Sequence, residues 1–297
     1  NALLAGYMGR IYGIDIGFGQ WMMIGVPVTI VALPVVFFIL TRVSFKLSSK
    51  EIPGMSELLS SEREKLGPLS KGEKAVAIVF ACTALCWICR PLMSARWPMI
   101  SDTTIAIGGA LILFCIPIHA RKGVFVMDWE ATKGLPWGVL LLFGGGLSLA
   151  SMINEHGLAV YLGNLTAGLN RMPLVLMIAI LCFGILILTE LTSNTGTAAT
   201  FLPIAAAVAL SLGQNPMLFL VPTALAANCS YMMPVGTPPN AIVFGSGLLK
   251  LSQMARAGLL INILLVPIVV AALWFLGPLV FDLELDVIPD WALELKE

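Results

Sequence analysis

The sequence predicts an all-α polytopic membrane protein: an inverted-repeat fold built around a re-entrant hairpin and a broken helix. Four observations lead there. Apolar residues make up 58% of the 297 residues and charged residues 11%, with a mean hydropathy of +0.94, whereas soluble domains carry roughly 25% charged residues. Runs of about 20 apolar residues, each long enough to cross ~30 Å of hydrocarbon, recur along the chain. Two of the apolar stretches are interrupted, one by Glu190-Leu191-Thr192-Ser193-Asn194-Thr195-Gly196-Thr197 and one by Pro234-Val235-Gly236-Thr237-Pro238-Pro239-Asn240. Finally, the start of the chain resembles its end. Continuous apolar runs exclude a β-barrel, whose strands alternate. A formal net charge of +0 leaves no basic footprint for nucleic acid.

Taken in order, residues 2–12 are apolar but too short to span. The chain opens inside an apolar stretch and without methionine, so it is expected to be the later part of a longer polypeptide. Gly13 to Gln20 reads as a surface turn. Trp21 to Leu40 is a full span, anchored at the interface by Trp21 and expected to kink at Pro27 and Pro34. Residues 42–74 form a linker that holds seven of the seventeen basic residues: Arg42, Lys46, Lys50, Arg63, Lys65, Lys71 and Lys74. The positive-inside rule places it in the cytoplasm, as a solvated connector with room for an amphipathic helix.

Ala75 to Leu92 crosses outward, leaving Arg90, Arg96 and Trp97 at the outer face. Thr103 to Ile118 returns, and Arg121 and Lys122 mark the inside. Residues 123–136 alternate aromatic and charged side chains and suggest a helix lying in the interface. Trp137 to Leu165 crosses outward, opening with Gly144-Gly145-Gly146, which suits close helix packing. Residues 173–213 go in and come back; charge cannot separate a span pair from a re-entrant hairpin, but the hydroxyl-rich tip, with Glu190 its only charge, favours re-entry. Pro216 to Met233 enters, and Pro238-Pro239 should unwind the helix at 236–239 before it resumes from Asn240 to Leu249. Ala257 to Phe281 crosses outward for the last time, and an acidic tail follows. Twelve basic residues then lie inside and five outside.

Of the six cysteines, Cys82, Cys86 and Cys89 share one helical face but lack a fourth ligand or a nearby histidine for a metal. All six are expected to be buried free thiols. Cys182 and Cys229, close in sequence to the two interruptions, are expected to be shielded when ligand closes over them.

Two broken apolar segments close together are the sequence mark of a membrane transport site. The repeat agrees. Asn1-Ala2-Leu3-Leu4-Ala5-Gly6 resembles Asn240-Ala241-Ile242-Val243-Phe244-Gly245. Gln20, Gly25 and Pro34 align with Gln253, Gly258 and Pro267 at one constant offset. The spans carrying the two sets run in opposite directions, which is the inverted-repeat plan with a site at the midplane. Half-helix N-termini near Thr195 and Asn240 would present free N–H groups to an anion, and unwound carbonyls would suit Na⁺.

Ser193-Asn194-Thr195 in a hairpin, followed by Gly236-Thr237-Pro238-Pro239-Asn240, resembles the divalent anion:sodium symporters, which carry dicarboxylates, citrate or sulfate. The resemblance covers the whole chain in order. It implies sodium-coupled symport of a di- or tricarboxylate such as succinate, with sodium as a co-transported ligand, no further cofactor, a homodimer, and a multi-pass place in the lipid of the cell membrane. It also implies an elevator in which 1–41, 75–100 and 172–281 move against scaffold spans in 101–171. Residues 42–74 would be the cytoplasmic linker and 282–297 an extracytoplasmic tail. Substrate contacts would fall on Asn194, Thr195, Thr237 and Pro238, and sodium ligands on Thr189, Thr192, Ser193, Asn194 and Gly236. The chain would carry one of the family's two hairpins, having lost most of the first repeat.

Other readings remain open in the residues. Ser193-Asn194-Thr195 could simply cap a helix. Glu190 could relay protons or hold structure by hydrogen bonds. Ser193 as the nucleophile of an intramembrane hydrolase would need a base, but His119 and His156 lie near opposite faces, and no hydrolase motif occurs. A channel, a sodium-independent dicarboxylate exchanger and a sulfate or other oxyanion transporter complete the set.

Overall fold

The computed structural model describes residues 1–45, 55–119, 121, 123–134, 137–158, 161, 172–284 and 287–293. Lys46, Lys50, Lys122, Arg171 and Lys296, all counted in the charge argument, lie outside the described residues, as do Asp286, Glu294 and Glu297 of the acidic tail and residues 159–160 and 162–165 of the expected Trp137–Leu165 span. The chain is mostly helical and divides into two compact units. One comprises Asn1–Ile16, Gln20–Lys46 and Trp137–Glu297; the other comprises Gly17–Gly19 and Leu47–Pro136.

In the smaller unit, the Lys71–Arg96 helix is longer at both ends than the expected span. Ser70 and Glu73 close a capping box at its start: Glu73 N–H donates to Ser70 Oγ at 3.2 Å and Ser70 N–H to Glu73 Oε2 at 2.7 Å. Linker residues Met55–Leu66 are helical, and exposed on every described side chain. The returning helix is shorter than expected, Asp102–Cys115, because Ile116 precedes Pro117 and turns extended. Its 14 residues cover about 21 Å, less than a ~30 Å hydrocarbon core. The interfacial helix expected over 123–136 is also corrected. Val124–Phe125 is a strand paired antiparallel with Pro117–His119, as β-branched and aromatic residues favour, and among the described residues of that range only Trp129–Lys133 is helical. Asp102 gathers this unit: Arg90 Nη1 lies 3.4 Å from its Oδ2, Phe18 N–H donates to Oδ2 at 3.0 Å, and Trp87 Nε1–H donates to its carbonyl at 3.0 Å.

The larger unit holds the core. The chain starts with a helix, Ala2–Tyr7, that widens into a π-helical turn over Met8–Tyr12 and stops at Gly13, whose φ of 69° is the left-handed conformation glycine adopts freely. The next helix begins at Phe18, inside the expected turn, and runs through a second π-helical turn to Ser44. The last long helix, Leu251–Phe281, has the same register: Gln20 and Gln253 are each the third residue, and Pro34 and Pro267 lie within. Gln253 Oε1 accepts from Lys250 N–H at 2.9 Å, and Gln20 Nε2 donates to Val280 O at 2.7 Å.

Residues 172–213 form the expected helical hairpin, with arms Leu174–Thr189 and Asn194–Ser211. The second arm buries a row of alanines, including Ala198, Ala199, Ala205, Ala206 and Ala209. Small residues let helix backbones approach, and in a membrane that packing, rather than release of water, holds helices together. Trp137–Glu155 packs on this row through one glycine: a Cβ on Gly146 would lie 2.5 Å from Ala199 Cβ, whereas Gly144 and Gly145 meet nothing within 4 Å. Met217–Ala226, with all ten residues buried, lies against both arms and the last long helix.

Among the thiols, Cys182 is buried and Cys86 and Cys229 are partly so, but Cys82, Cys89 and Cys115 are exposed. Burial therefore does not extend to all six. The exposed three sit on the Lys71–Arg96 and Asp102–Cys115 helices, which pack on each other along one side only.

Candidate functional site

The hairpin turns over Glu190–Ser193. Ser193 is extended and caps the second arm: Gly196 N–H reaches its Oγ at 3.5 Å. Thr192, exposed, donates to Leu188 O at 2.9 Å and lies 2.5 Å from the buried Thr197 hydroxyl. Asn194 and Thr195 open the second arm half-buried.

The break opposite this tip is longer than expected and starts earlier. Met217–Ala226 ends ten residues before Gly236, and helix returns only at Pro238–Gly245. Pro238 and Pro239 do not break a helix here; they start one. In the first turn the N–H groups they lack have no intrahelical partner to lose. Thr237 is the cap, its Oγ1 accepting from Asn240 N–H at 3.4 Å, and Asn240 Nδ2 donates back to Ser230 O at 2.9 Å and Met233 O at 3.1 Å.

Tip and break meet at two successive residues. Thr189 is fully buried, and its hydroxyl stands 2.8 Å from Asn194 Oδ1 and 2.8 Å from Ala227 O. A hydroxyl has one proton to donate, so three oxygens converge with one proton among them. That is a donor set suited to a hard cation. Beside it, Asn228 Nδ2 donates to Ala224 O at 2.7 Å and to Asn1 Oδ1 at 3.0 Å, drawing the first residue of the chain to the break.

Glu190, 2% exposed, reaches further along the unwound segment. Its Oε1 accepts from Tyr231 N–H at 2.7 Å, Met232 N–H at 3.0 Å and Asn262 Nδ2 at 2.9 Å. Its Oε2 accepts from Met232 N–H at 2.9 Å, Met233 N–H at 3.0 Å and Ser230 Oγ at 2.9 Å. Ser230 in turn explains Gly236, where a Cβ would collide with the Ser230 hydroxyl.

Of the residues singled out from sequence, Thr189 and Asn194 are thus in direct contact, and Gly236 joins Glu190 through Ser230. Thr237 and Pro238 start the second half-helix, Pro238 exposed. Thr192 and Ser193 spend their hydroxyls on the hairpin itself. Sequence reasoning missed Ala227, Asn228, Ser230 and Asn262. The last, a lone asparagine within an apolar span, was the one visible signal among them. Cys182 lies in the core at 0% exposure, so ligand closure has nothing to shield there; that expectation now falls on Cys229 alone.

The family model for the sodium:sulfate symporter transmembrane region matches residues 1–281. A protein named sodium-dependent dicarboxylate transporter SdcS, from Staphylococcus saprophyticus, is 42% identical over 289 residues, covering 95% of this chain and 55% of the relative. SdcS of Staphylococcus aureus strain USA300 is 40% identical over 288 residues, covering 96% and 55%. The chain therefore spans about half the length of the curated relatives it matches.

Proposed function

The chain belongs to the sodium:sulfate symporter family, that of the divalent anion:sodium symporters, and on that premise we propose that it forms half of a sodium-coupled symporter of di- or tricarboxylates. The relatives' names favour a dicarboxylate such as succinate over sulfate, and transport over hydrolysis. The protein is a multi-pass membrane protein: three described helices, Phe18–Ser44, Lys71–Arg96 and Leu251–Phe281, are long and apolar enough to cross a bilayer.

The observation that carries sodium coupling is the oxygen cluster of Thr189, Asn194 and Ala227, set in a stretch where no lysine or arginine occurs from residue 172 to 249. A dicarboxylate brings about two negative charges, and an isolated buried ion costs several kcal/mol. Two half-helix starts, at Ser193 and Thr237, supply only ~0.5 charge each. Glu190 adds a further acid. Co-bound cations make up the difference. We assign Asn194, Thr195, Thr237 and Pro238 to the anion, and Thr189, Thr192, Ser193, Asn194 and Gly236 to sodium, with Ala227 O as an added ligand.

The shared register of the Phe18 and Leu251 helices supports a duplicated unit and hence an inverted repeat. On this reading 172–213 re-enters the membrane without crossing it. Residues 1–41, 75–100 and 172–281 carry the site as an elevator, 101–171 belongs to the scaffold of a homodimer, and 42–74 and 282–297 are linker and tail. The test is uptake of labelled succinate by proteoliposomes holding the intact transporter. Accumulation above equilibrium under an inward sodium gradient, lost when choline replaces sodium, is expected. Undiminished uptake in choline would move the protein to the exchangers, and non-saturable flux to the channels.

A further inference from the structure

We propose that Glu190 is a positioning residue, a brace that fixes the unwound segment 230–233 against the hairpin tip so that the sodium and anion ligands keep their spacing. The proposal rests on the symport reading above but takes its geometry from elsewhere. Three consecutive backbone N–H groups, of Tyr231, Met232 and Met233, converge on one carboxylate. Successive N–H groups of this kind make a cradle for anions. Here the cradle is filled from within the protein, so these amides are not free to bind a transported anion.

Every neighbour of the carboxylate is a donor: three amides, the Ser230 hydroxyl and the Asn262 side-chain amide. An ionised carboxylate accepts at all its lone pairs, whereas a protonated one would turn a donor toward donors. The surroundings therefore hold the side chain as a stationary acceptor.

The last long helix is shaped to this brace. Gly258 and Asn262 are four residues apart on one face. A Cβ at Gly258 would lie 2.5 Å from Tyr231 C and 2.6 Å from Met232 Cα, so only glycine admits the unwound backbone there. One turn on, Asn262, fully buried, reaches the same carboxylate. Hairpin tip, break and last helix thus meet at a single side chain. The residue before it, Thr189, sits in the oxygen cluster with Asn194 and Ala227. Moving Glu190 would move the tip relative to the break, and with it the distance between Asn194 and Ala227 O.

The test compares Glu190→Gln, Glu190→Asp and Ser230→Ala in the intact transporter in proteoliposomes. Gln keeps the size but turns a donor toward donors. It should raise the half-saturation concentrations for sodium and succinate together by about tenfold or more, the effect of losing a charge-assisted bond. Glu190→Asp should recover part of that, and Ser230→Ala, which leaves the other donors to the carboxylate in place, should shift both by a smaller factor, about two- to threefold, the low end for loss of one hydrogen bond. A purely structural staple would lower the amount of folded protein and the maximal rate, leaving both half-saturation values alone; that result overturns the proposal. If Glu190→Gln does not fold, Ser230→Ala and Asn262→Ala decide, and unchanged constants in both overturn it. Amide exchange at 231–233 gives a readout independent of transport: exchange faster in a brace variant than in wild type supports the brace, and equal exchange contradicts it. If wild type moves no succinate with sodium, the symport reading is what has failed, and amide exchange alone settles the brace.

Discussion

Two stretches of this chain each carry an apolar run and use it in opposite ways. Met217–Ala226 is buried at all ten residues, whereas Lys71–Arg96, every residue of which is described, buries none within its own unit. An apolar run alone does not decide between burial and exposure, because contact with lipid tails and contact with apolar side chains are close to equivalent. The polar residues do. Around Met217–Ala226 the buried polar groups Thr189, Glu190, Thr223, Ser230 and Asn262 each have a partner fixed by geometry. In the smaller unit the polar contacts gather at Asp102, toward the end of its helices. In a membrane an unsatisfied polar group is the expensive element, so its position marks where the chain has to be precise.

Substituting glycines across the two regions would break or sharpen this comparison. Gly258→Leu puts a side chain into the backbone of Tyr231 and Met232; it should abolish transport and lower stability by about 3 kcal/mol or more, read from thermal unfolding in detergent. Gly109→Ala, in the smaller unit, meets only the Thr83 hydroxyl, at 2.5 Å. It should cost about 1 kcal/mol and leave transport in place. Gly144→Ala, with open space around it, should be neutral or gain up to ~1 kcal/mol of helix propensity. Equal losses at Gly258 and Gly109 would erase the distinction between the regions.

Thiol labelling in micelles offers a smaller effect. Cys182 should not react in any condition, and Cys115 should react alike with and without ligand. Cys229, half-buried at the start of the break, should slow by about threefold in sodium plus succinate. Ligand-independent labelling of Cys229 would separate it from the site.

Much of this arrangement was legible in the residues. The hairpin was readable because hydroxyls, an amide and a glycine are costly in an apolar run unless they turn it. The break was readable in kind but misplaced. Pro238 and Pro239 drew attention as helix breakers, whereas a proline pair in the first turn begins a helix, and the unwinding lies upstream over Ala227–Thr237. Pro234 and Gly236 mark only its later part; over Ala227–Met233 the signal is mainly long-range, from Glu190 forty residues earlier and Gly258 twenty residues later. The interfacial helix at 123–136 failed for a related reason, since Val124–Phe125 finds a strand partner in Pro117–His119 that no local pattern announces.

The central claim is that sodium and anion share one site at Asn194, and Asn194→Ala tests it most directly. The half-saturation concentrations for sodium and for succinate should be measured in proteoliposomes holding the intact transporter. Because Asn194 is assigned to both ligands, and coupled ligands report each other's loss, the account predicts that both values rise together, by about tenfold, as loss of a charge-assisted contact implies. A rise in one with the other at its wild-type value would contradict it.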